Sequence, residues 1–384
     1  MAAKRPTKKA TKKATKKAHP SKSADSDKKA TQLQVMTEAR QHFDGRVILM
    51  GELDTTVPGF VSTQSLALDW IASAGLVTHR GLPMSRVVDV TSDEGCGKST
   101  LGDHLLAEVQ RVGGHAYLWD TENARDDAYQ AKIGLVRKRA GQIEAHTMED
   151  GFETMIDLVA WHNSRDPGRP GIIVWDTPAG TPTRAEVDVD KKDERFGPAK
   201  LIRSYLRKLN QQLQQGRWML FVCNQTYMGQ SPGGQAYKVA YGGGGIPYYS
   251  SVRLTLSHPS KFWRSTSDKE LGVPPIGQTV WVKCIKNRVD RPWRSRQIAI
   301  HFGEGISNSY EVFQTLLGSG LITGKGWFEF DPVGAPELHE RVPKKFQAPA
   351  SAAHLVIDRM VAEDPDLWPL LLKAYHEIIA SVQS

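Results

Sequence analysis

Between residues 85 and 223 the chain alternates short apolar runs with longer amphipathic segments. The runs are Val87-Val-Asp-Val90, Ala116-Tyr-Leu-Trp119, Gly171-Ile-Ile-Val-Trp175 and Met219-Leu-Phe-Val-Cys223, and the segments between them are 99–112, 150–163 and 198–215. A run without polar alternation has to be covered on both faces, and helix-length crossovers make successive strands parallel. The pattern therefore predicts an α/β fold with a mostly parallel central sheet between layers of helix. It weakens after about residue 308, and residues 351–384 read as two small helices broken around Asp364-Pro365. Residues 308–384 are thus expected to form a small C-terminal domain.

The first run leads directly into Ser92-Asp93-Glu94-Gly95-Cys96-Gly97-Lys98-Ser99-Thr100, which opens the segment 99–112. A glycine-bearing loop between a buried strand and a helix is the setting of a phosphate-binding loop. Backbone N–H groups and the helix N-terminus face the phosphates, Lys98 reaches the terminal ones, and the Ser99 hydroxyl is a magnesium ligand. The first glycine of the usual pattern is replaced by Ser92. Asp176 ends the third run, where a carboxylate can hold the magnesium shell, through water. Glu122, just beyond the second run, is compatible with two roles: polarising a water for attack on a γ-phosphate, or a solvated acid at a strand end.

Charge is distributed unevenly. The 384 residues carry a formal net charge of +8, but residues 1–30 hold eleven Lys or Arg against Asp25 and Asp27. The remainder is therefore close to neutral, and basicity is no argument that the folded body binds nucleic acid. The first 30 residues repeat Thr-Lys-Lys-Ala at Thr7–Ala10, Thr11–Ala14 and Thr15–Ala18. With almost no large apolar side chains they are expected to be disordered. They read either as a nonspecific phosphate-binding arm or as a solubilising tail. Residues 32–44 suit a short amphipathic helix and Arg46-Val-Ile-Leu-Met50 a strand, together an element (31–50) that either docks on a neighbour or packs on its own core. No stretch nears 18 consecutive apolar residues, which argues against a transmembrane helix, and no apolar segment follows the basic start as in a secretory signal. Cys96, Cys223 and Cys284 have no metal or disulfide spacing and suit the cytoplasm.

Taken together these residues resemble the bacterial RecA recombinases. The likeness runs through Val61-Ser-Thr-Gln-Ser-Leu-Ala-Leu-Asp69, Gly81-Leu-Pro-Met-Ser-Arg-Val-Val, the phosphate loop, Trp119-Asp-Thr-Glu-Asn-Ala-Arg-Asp126 and Cys223-Asn-Gln225. It continues through Gly242–Gly245, Ser251-Val-Arg-Leu254, Lys283–Arg288, Gly303-Glu-Gly-Ile306 and Gly326-Trp-Phe. It covers roughly residues 33–330 and fits a divergent, phage-type member better than a housekeeping bacterial one. The resemblance implies a RecA-like ATPase core (51–307), with ATP and Mg2+ as cofactors. It also implies a helical homo-oligomer on single-stranded DNA that pairs it with homologous duplex, loading by mediator proteins, and a bacterial cytoplasmic or nucleoid setting, in a phage-infected cell for a phage-type member.

Several residue roles are implied by position. Glu122 matches the family's catalytic glutamate, Asp126 and Tyr129 its adenine contacts, and Gln225 its γ-phosphate sensor. Lys286 and Arg288 match a lysine pair that reaches a neighbour's ATP. The DNA contacts fall in two segments. The first spans Glu186–Gly197 with Lys191, Lys192 and Arg195, followed on the next helix by Arg203 and Arg207. The second is an expected glycine-rich loop, Thr226–Tyr241, with Tyr227, Met228, Tyr237, Lys238 and Tyr241. Basic and aromatic side chains together grip a strand without regard to sequence. The chain departs from the family at Gly233-Gly234, where a large apolar side chain is usual, and at Pro247, where a lysine is. It ends Ala380-Ser-Val-Gln-Ser without the family's acidic tail, so that tail's restraint on duplex binding is expected to be absent or replaced. Two other readings compete: a RecA-fold ATPase without strand exchange, and a DNA-compacting protein acting through its tail. The Lys286/Arg288 element argues against the first, and an intact ATP site leaves the second without a purpose for it.

Overall fold

The structure, a computed structural model, describes residues 34–42, 57–73, 81–123, 125–187, 197–230, 234–331, 335–338, 341–349 and 352–383. The expected tail, the strand at 46–50 and the basic residues Lys191, Lys192 and Arg195 lie outside them. The chain divides into two units, 1–56 and 57–384. In the first, residues 34–42 form helix α1, exposed at every position except the half-buried Ala39.

The second unit begins with β1 (Phe60–Val61), α2 (Leu66–Ser73) and β2 (Leu82–Pro83). The alternating region follows as β3 (Val87–Ser92), α3 (Lys98–Arg111), β4 (His115–Asp120), α4 (Asp127–Ile133), β5 (Ala140–Gln142), α5 (Met148–Arg165) and β6 (Gly171–Asp176). Then come α6 (Arg184–Val187), α7 (Pro198–Gln215), β7 (Trp218–Gln230), β8 (Ala236–Ala240), α8 (Gly245–Tyr249) and β9 (Ser250–Phe262). An antiparallel stretch is formed by α9 (Thr266–Glu270), β10 (Gly277–Asn287), β11 (Ser295–His301) and β12 (Gly305–Ser307), and α10 (Asn308–Ser319) leaves it. The C-terminal part holds β13 (Ile322–Lys325), β14 (Trp327–Phe330), β15 (Lys345–Gln347), α11 (Leu355–Glu363) and α12 (Leu367–Gln383).

The main sheet has the order β12-β11-β10-β9-β3-β7-β6-β4-β5, with β8 paired to β7. From β9 to β5 every neighbour is parallel, as the alternation predicts. The β10, β11 and β12 edge is antiparallel. The central strands are apolar on both faces because both are covered. Val88, Val90, Ile172, Val174, Met219 and Phe221 pack with α2 and α3, while Val87, Ile173, Trp175, Leu220 and Val222 pack with α5 and α7. Ile202, Leu206, Leu209 and Leu213 of α7 recur at helical spacing and are fully buried. Each contributes on the order of 1.5–3 kcal/mol by leaving water. Helix starts follow local chemistry: Pro198 opens α7, and the Thr147 hydroxyl accepts from Asp150 N to cap α5.

A separate apolar cluster forms where α10, α11 and α12 pack on the antiparallel sheet β13-β14-β15, with Phe313, Phe328 and Phe346 at its centre. Among the described residues no helix is long and apolar enough to cross a membrane.

One expectation is corrected. Residues 226–241 are not an irregular glycine-rich loop: β7 runs on past the sheet to Gln230, and β8 returns along it in register from Thr226↔Ala240 to Gln230↔Ala236. Thr226, Tyr227, Tyr237 and Val239 favour extended backbone, and pairing satisfies N–H and C=O groups that a loop would leave to water. Gly229 is held within β7 opposite Tyr237, and Gly242–Gly245 follow β8.

Candidate functional site

The parallel register brings three strand ends to one level: Ser92 lies opposite Gln225, Asp176 opposite Cys223, and Asp120 opposite Asp176. Ligands of open α/β sheets lie beyond such carboxyl ends. A cleft of about 600 Å³ opens there, walled on one side by residues 94–100, Glu122, Tyr129, Asp176 and Gln225. The antiparallel edge supplies the other wall, with Gln278, Ile300, Phe302 and Gly303. Ser92, Asp93, Asp126, Lys286 and Arg288 do not line it.

The phosphate loop has the backbone that its sequence calls for. Gly97 is left-handed at φ 91°, and a Cβ there would lie 2.3 Å from Ile300 Cδ1. Only glycine serves both conditions. Gln278 Nε2 donates to Gly95 O at 2.6 Å, so β10 holds the loop from outside. The buried Lys98 ammonium donates to Ser92 O, Ser92 Oγ and Asp93 O at 3.2, 2.9 and 2.9 Å. Ser92 therefore supplies Lys98 with a side-chain partner that a glycine would lack.

Gln225 Nε2 donates to Glu122 Oε1 at 2.8 Å. Burial, then the nearby Asp176 charge, push the Glu122 carboxyl up, the direction that suits a general base. Tyr129 lies across the cleft with its hydroxyl 3.1 Å from Thr100 Oγ1. Asp126 caps α4, accepting from Tyr129 N at 2.7 Å. Asp176 is buried at its strand end beside the Ser99 helix start, and the peptide after it is cis. A hydroxyl and a carboxylate are hard oxygen donors, few in number, which fits an ion that keeps water and phosphate in its shell.

Sequence reasoning missed what lies behind Asp176. Arg125 is buried, donating from Nη2 to Asp176 Oδ2 at 2.6 Å, and from Nη1 to Asp103 Oδ1 and to Ser99 O at 3.3 Å. Asp120 Oδ2 is 3.7 Å from its Nε, and Gln130 Nε2 also donates to Asp103 Oδ1 at 2.9 Å. The signal was present: Asp103 sits among the core-facing leucines of α3, and a carboxylate there demands a cation.

The hairpin joins the cleft at its base. Gln225 lines the cleft, and the next residue, Thr226, donates through Oγ1 to the Asp93 carboxylate, which also pairs with Lys238 of β8. Those bonds hold the Asp93 carboxyl below its usual range. Tyr227 and Met228 are 51% and 63% exposed on the hairpin. Tyr241, half-buried, closes a recess of about 400 Å³ with Ala199, Tyr227 and Gly242. Arg203 lies over the Tyr248 ring at 5.6 Å and Arg207 is exposed, both on α7. Tyr237 lies on β8. Lys286 and Arg288 sit elsewhere: Lys286 Nζ donates to Pro247 O at 2.6 Å, and both reach Tyr248 O at 3.3 Å. Burial, then the Arg288 and Arg253 charges, lower the Lys286 ammonium to about 8.

The model of the RecA N-terminal domain family matches residues 29–307. Protein RecA of Lactobacillus johnsonii is 29% identical over 346 residues, covering 84% of this chain and 89% of that protein. Protein RecA of Methylobacterium sp. is 30% identical over 311 residues (80% and 81%), and that of Desulforapulum autotrophicum 30% over 305 (79% and 83%). With its phosphate loop at the head of a mostly parallel sheet and a family match over most of its length, this chain belongs to the RecA family, as a divergent member.

Proposed function

We propose that the protein is an ATP-dependent recombinase that assembles on single-stranded DNA and pairs it with homologous duplex. The observation that carries this reading is the Gln225–Glu122 hydrogen bond. Gln225 faces the cleft, and the hairpin with Tyr227 and Lys238 starts one residue later, so a change at the cleft is felt by the hairpin.

In this reading the loop N–H groups and Lys98 hold the triphosphate, Tyr129 stacks on adenine, and Ser99 and Asp176 hold Mg2+, which neutralises phosphate charge when bound. Glu122 takes the proton of the attacking water. Asp126 acts through the α4 cap that positions Tyr129. Lys286 and Arg288 complete the site of the next protomer. Arg203, Arg207, Tyr227, Met228, Tyr237, Lys238 and Tyr241 grip the single strand, joined by Lys191, Lys192 and Arg195 from the segment before α7. The Lys-rich residues 1–30 act as a nonspecific phosphate arm, residues 31–50 join protomers, and residues 308–384 form the C-terminal domain. The setting is the bacterial cytoplasm.

Strand exchange between a circular single strand and a linear homologous duplex tests the whole reading. Wild type should form joint molecules with ATP, and Lys98→Ala should form none and hydrolyse none. Glu122→Gln should bind ATP yet hydrolyse it about 10²–10⁴-fold more slowly. DNA-stimulated hydrolysis without joint molecules would instead mark an ATPase that does not exchange strands.

A further inference from the structure

We propose that Arg125 is a positioning residue that locks Ser99 and Asp176 into one rigid pair, and that this lock lowers the Mg2+ concentration needed for nucleotide binding. The inference rests on the magnesium reading proposed above. It concerns a residue that lies behind the cleft rather than in its wall.

Its two terminal nitrogens reach both elements that carry the proposed oxygen donors. Nη2 holds Asp176 Oδ2 at the end of β6, and Nη1 holds the Ser99 carbonyl in the first turn of α3. Asp103, one turn further along α3, anchors the same Nη1 and is itself steadied by Gln130. A planar guanidinium can serve these directions at once, whereas an ammonium is a point charge without the fork. Because Oδ2 of Asp176 is engaged from behind, Oδ1 is the oxygen left for the cleft, where Asp176 is part of the wall.

Charge points the same way. One guanidinium stands among Asp103, Asp120 and Asp176, so the group keeps an excess of negative charge that a further cation would relieve. Arg125 thus orients the Asp176 carboxylate without cancelling the attraction of the site for a divalent ion. Residues that orient a metal ligand in this way typically matter about 10–100-fold for metal affinity.

Two variants test the lock. Arg125→Lys keeps the charge and loses the fork; Asp103→Leu/Arg125→Leu removes the buried ion pair as a unit, so that no carboxylate on α3 is stranded. For each, binding of a fluorescent ATP analogue is titrated with Mg2+, and binding of the same analogue is measured in EDTA, with circular dichroism reporting the fold. The half-saturating Mg2+ concentration should rise about tenfold in both, with affinity in EDTA unchanged. An unchanged requirement in either folded variant would overturn the proposal, and so would a lower one, which would mean that Arg125 competes with the ion. Asp176→Asn separates this from the reading beneath it. If that variant raises the requirement and the Arg125 variants do not, only the lock fails; if Asp176→Asn also leaves it unchanged, the magnesium role of Asp176 fails with it.

Discussion

At the scale of single residues, a buried carboxyl whose cation stands at a distance shows up as pH dependence. Glu311 in the first turn of α10 is buried; Arg296 Nε approaches no closer than 3.8 Å and Thr315 Oγ1 donates at 3.5 Å. Burial pushes its carboxyl from 4.5 to about 7. Between those values the folded protein keeps a proton that the unfolded chain releases. The contribution of this group to stability is therefore fully present below 4.5, falls as pH rises to 7, and is flat above. The interval corresponds to about 3 kcal/mol at most. Urea unfolding of wild type and Glu311→Gln at pH 5 and pH 8 checks it: the glutamine variant should lose less stability between the two. Parallel losses in both proteins would show that Glu311 is ionised throughout.

Among the elements, the β7–β8 hairpin links the cleft to the surface proposed for DNA. Its first strand is a continuation of a core strand, so the backbone from Cys223 to Gln230 is one extended ladder rather than a hinge. Exposed Tyr227 and Met228 project from it, while Lys238 is tied to Asp93 at its root. Tyr227→Ala should cost the single-strand complex about 1–3 kcal/mol, the worth of one stacked base. It should leave ATP affinity alone, because Gln225 and the loop are untouched. Fluorescence anisotropy of a labelled oligothymidylate with ATP present measures the loss. An unaltered affinity would remove Tyr227 from the DNA surface.

For the whole molecule, the position of Lys286 and Arg288 sets the expectation. They rest on the carbonyls of Pro247 and Tyr248 and do not line the cleft of their own chain. Any role in catalysis must therefore be served to another copy. Lys98→Ala protomers and Lys286→Ala/Arg288→Ala protomers should each fail to hydrolyse ATP alone. Mixed on single-stranded DNA, they should recover hydrolysis at interfaces that unite an intact phosphate loop with an intact cationic pair. No recovery in a mixture verified to co-assemble would confine the two cations to a structural task.

The sequence by itself determined the sheet and the phosphate loop, because both depend on local information. Short apolar runs such as Gly171–Trp175 between helix-length segments read as buried strands, and Gly97-Lys98-Ser99 after Val87–Ser92 reads as a phosphate loop that opens a helix. Glu122 and Gln225 became legible through resemblance, as their separation along the chain hides a 2.8 Å contact. Tertiary structure alone decided the rest. Arg125 and Asp103 find each other because α3 and the segment after β4 converge on the end of β6. The outer wall of the cleft comes from Gln278 and Ile300 on β10 and β11 and from Phe302 just beyond β11, none of which lies within a motif. The hairpin formed where glycine count suggested a loop, since extending β7 satisfies backbone groups that composition does not count. Pairings between distant segments depend on which strands are neighbours in the sheet, and that order is written in packing rather than in any local stretch of residues.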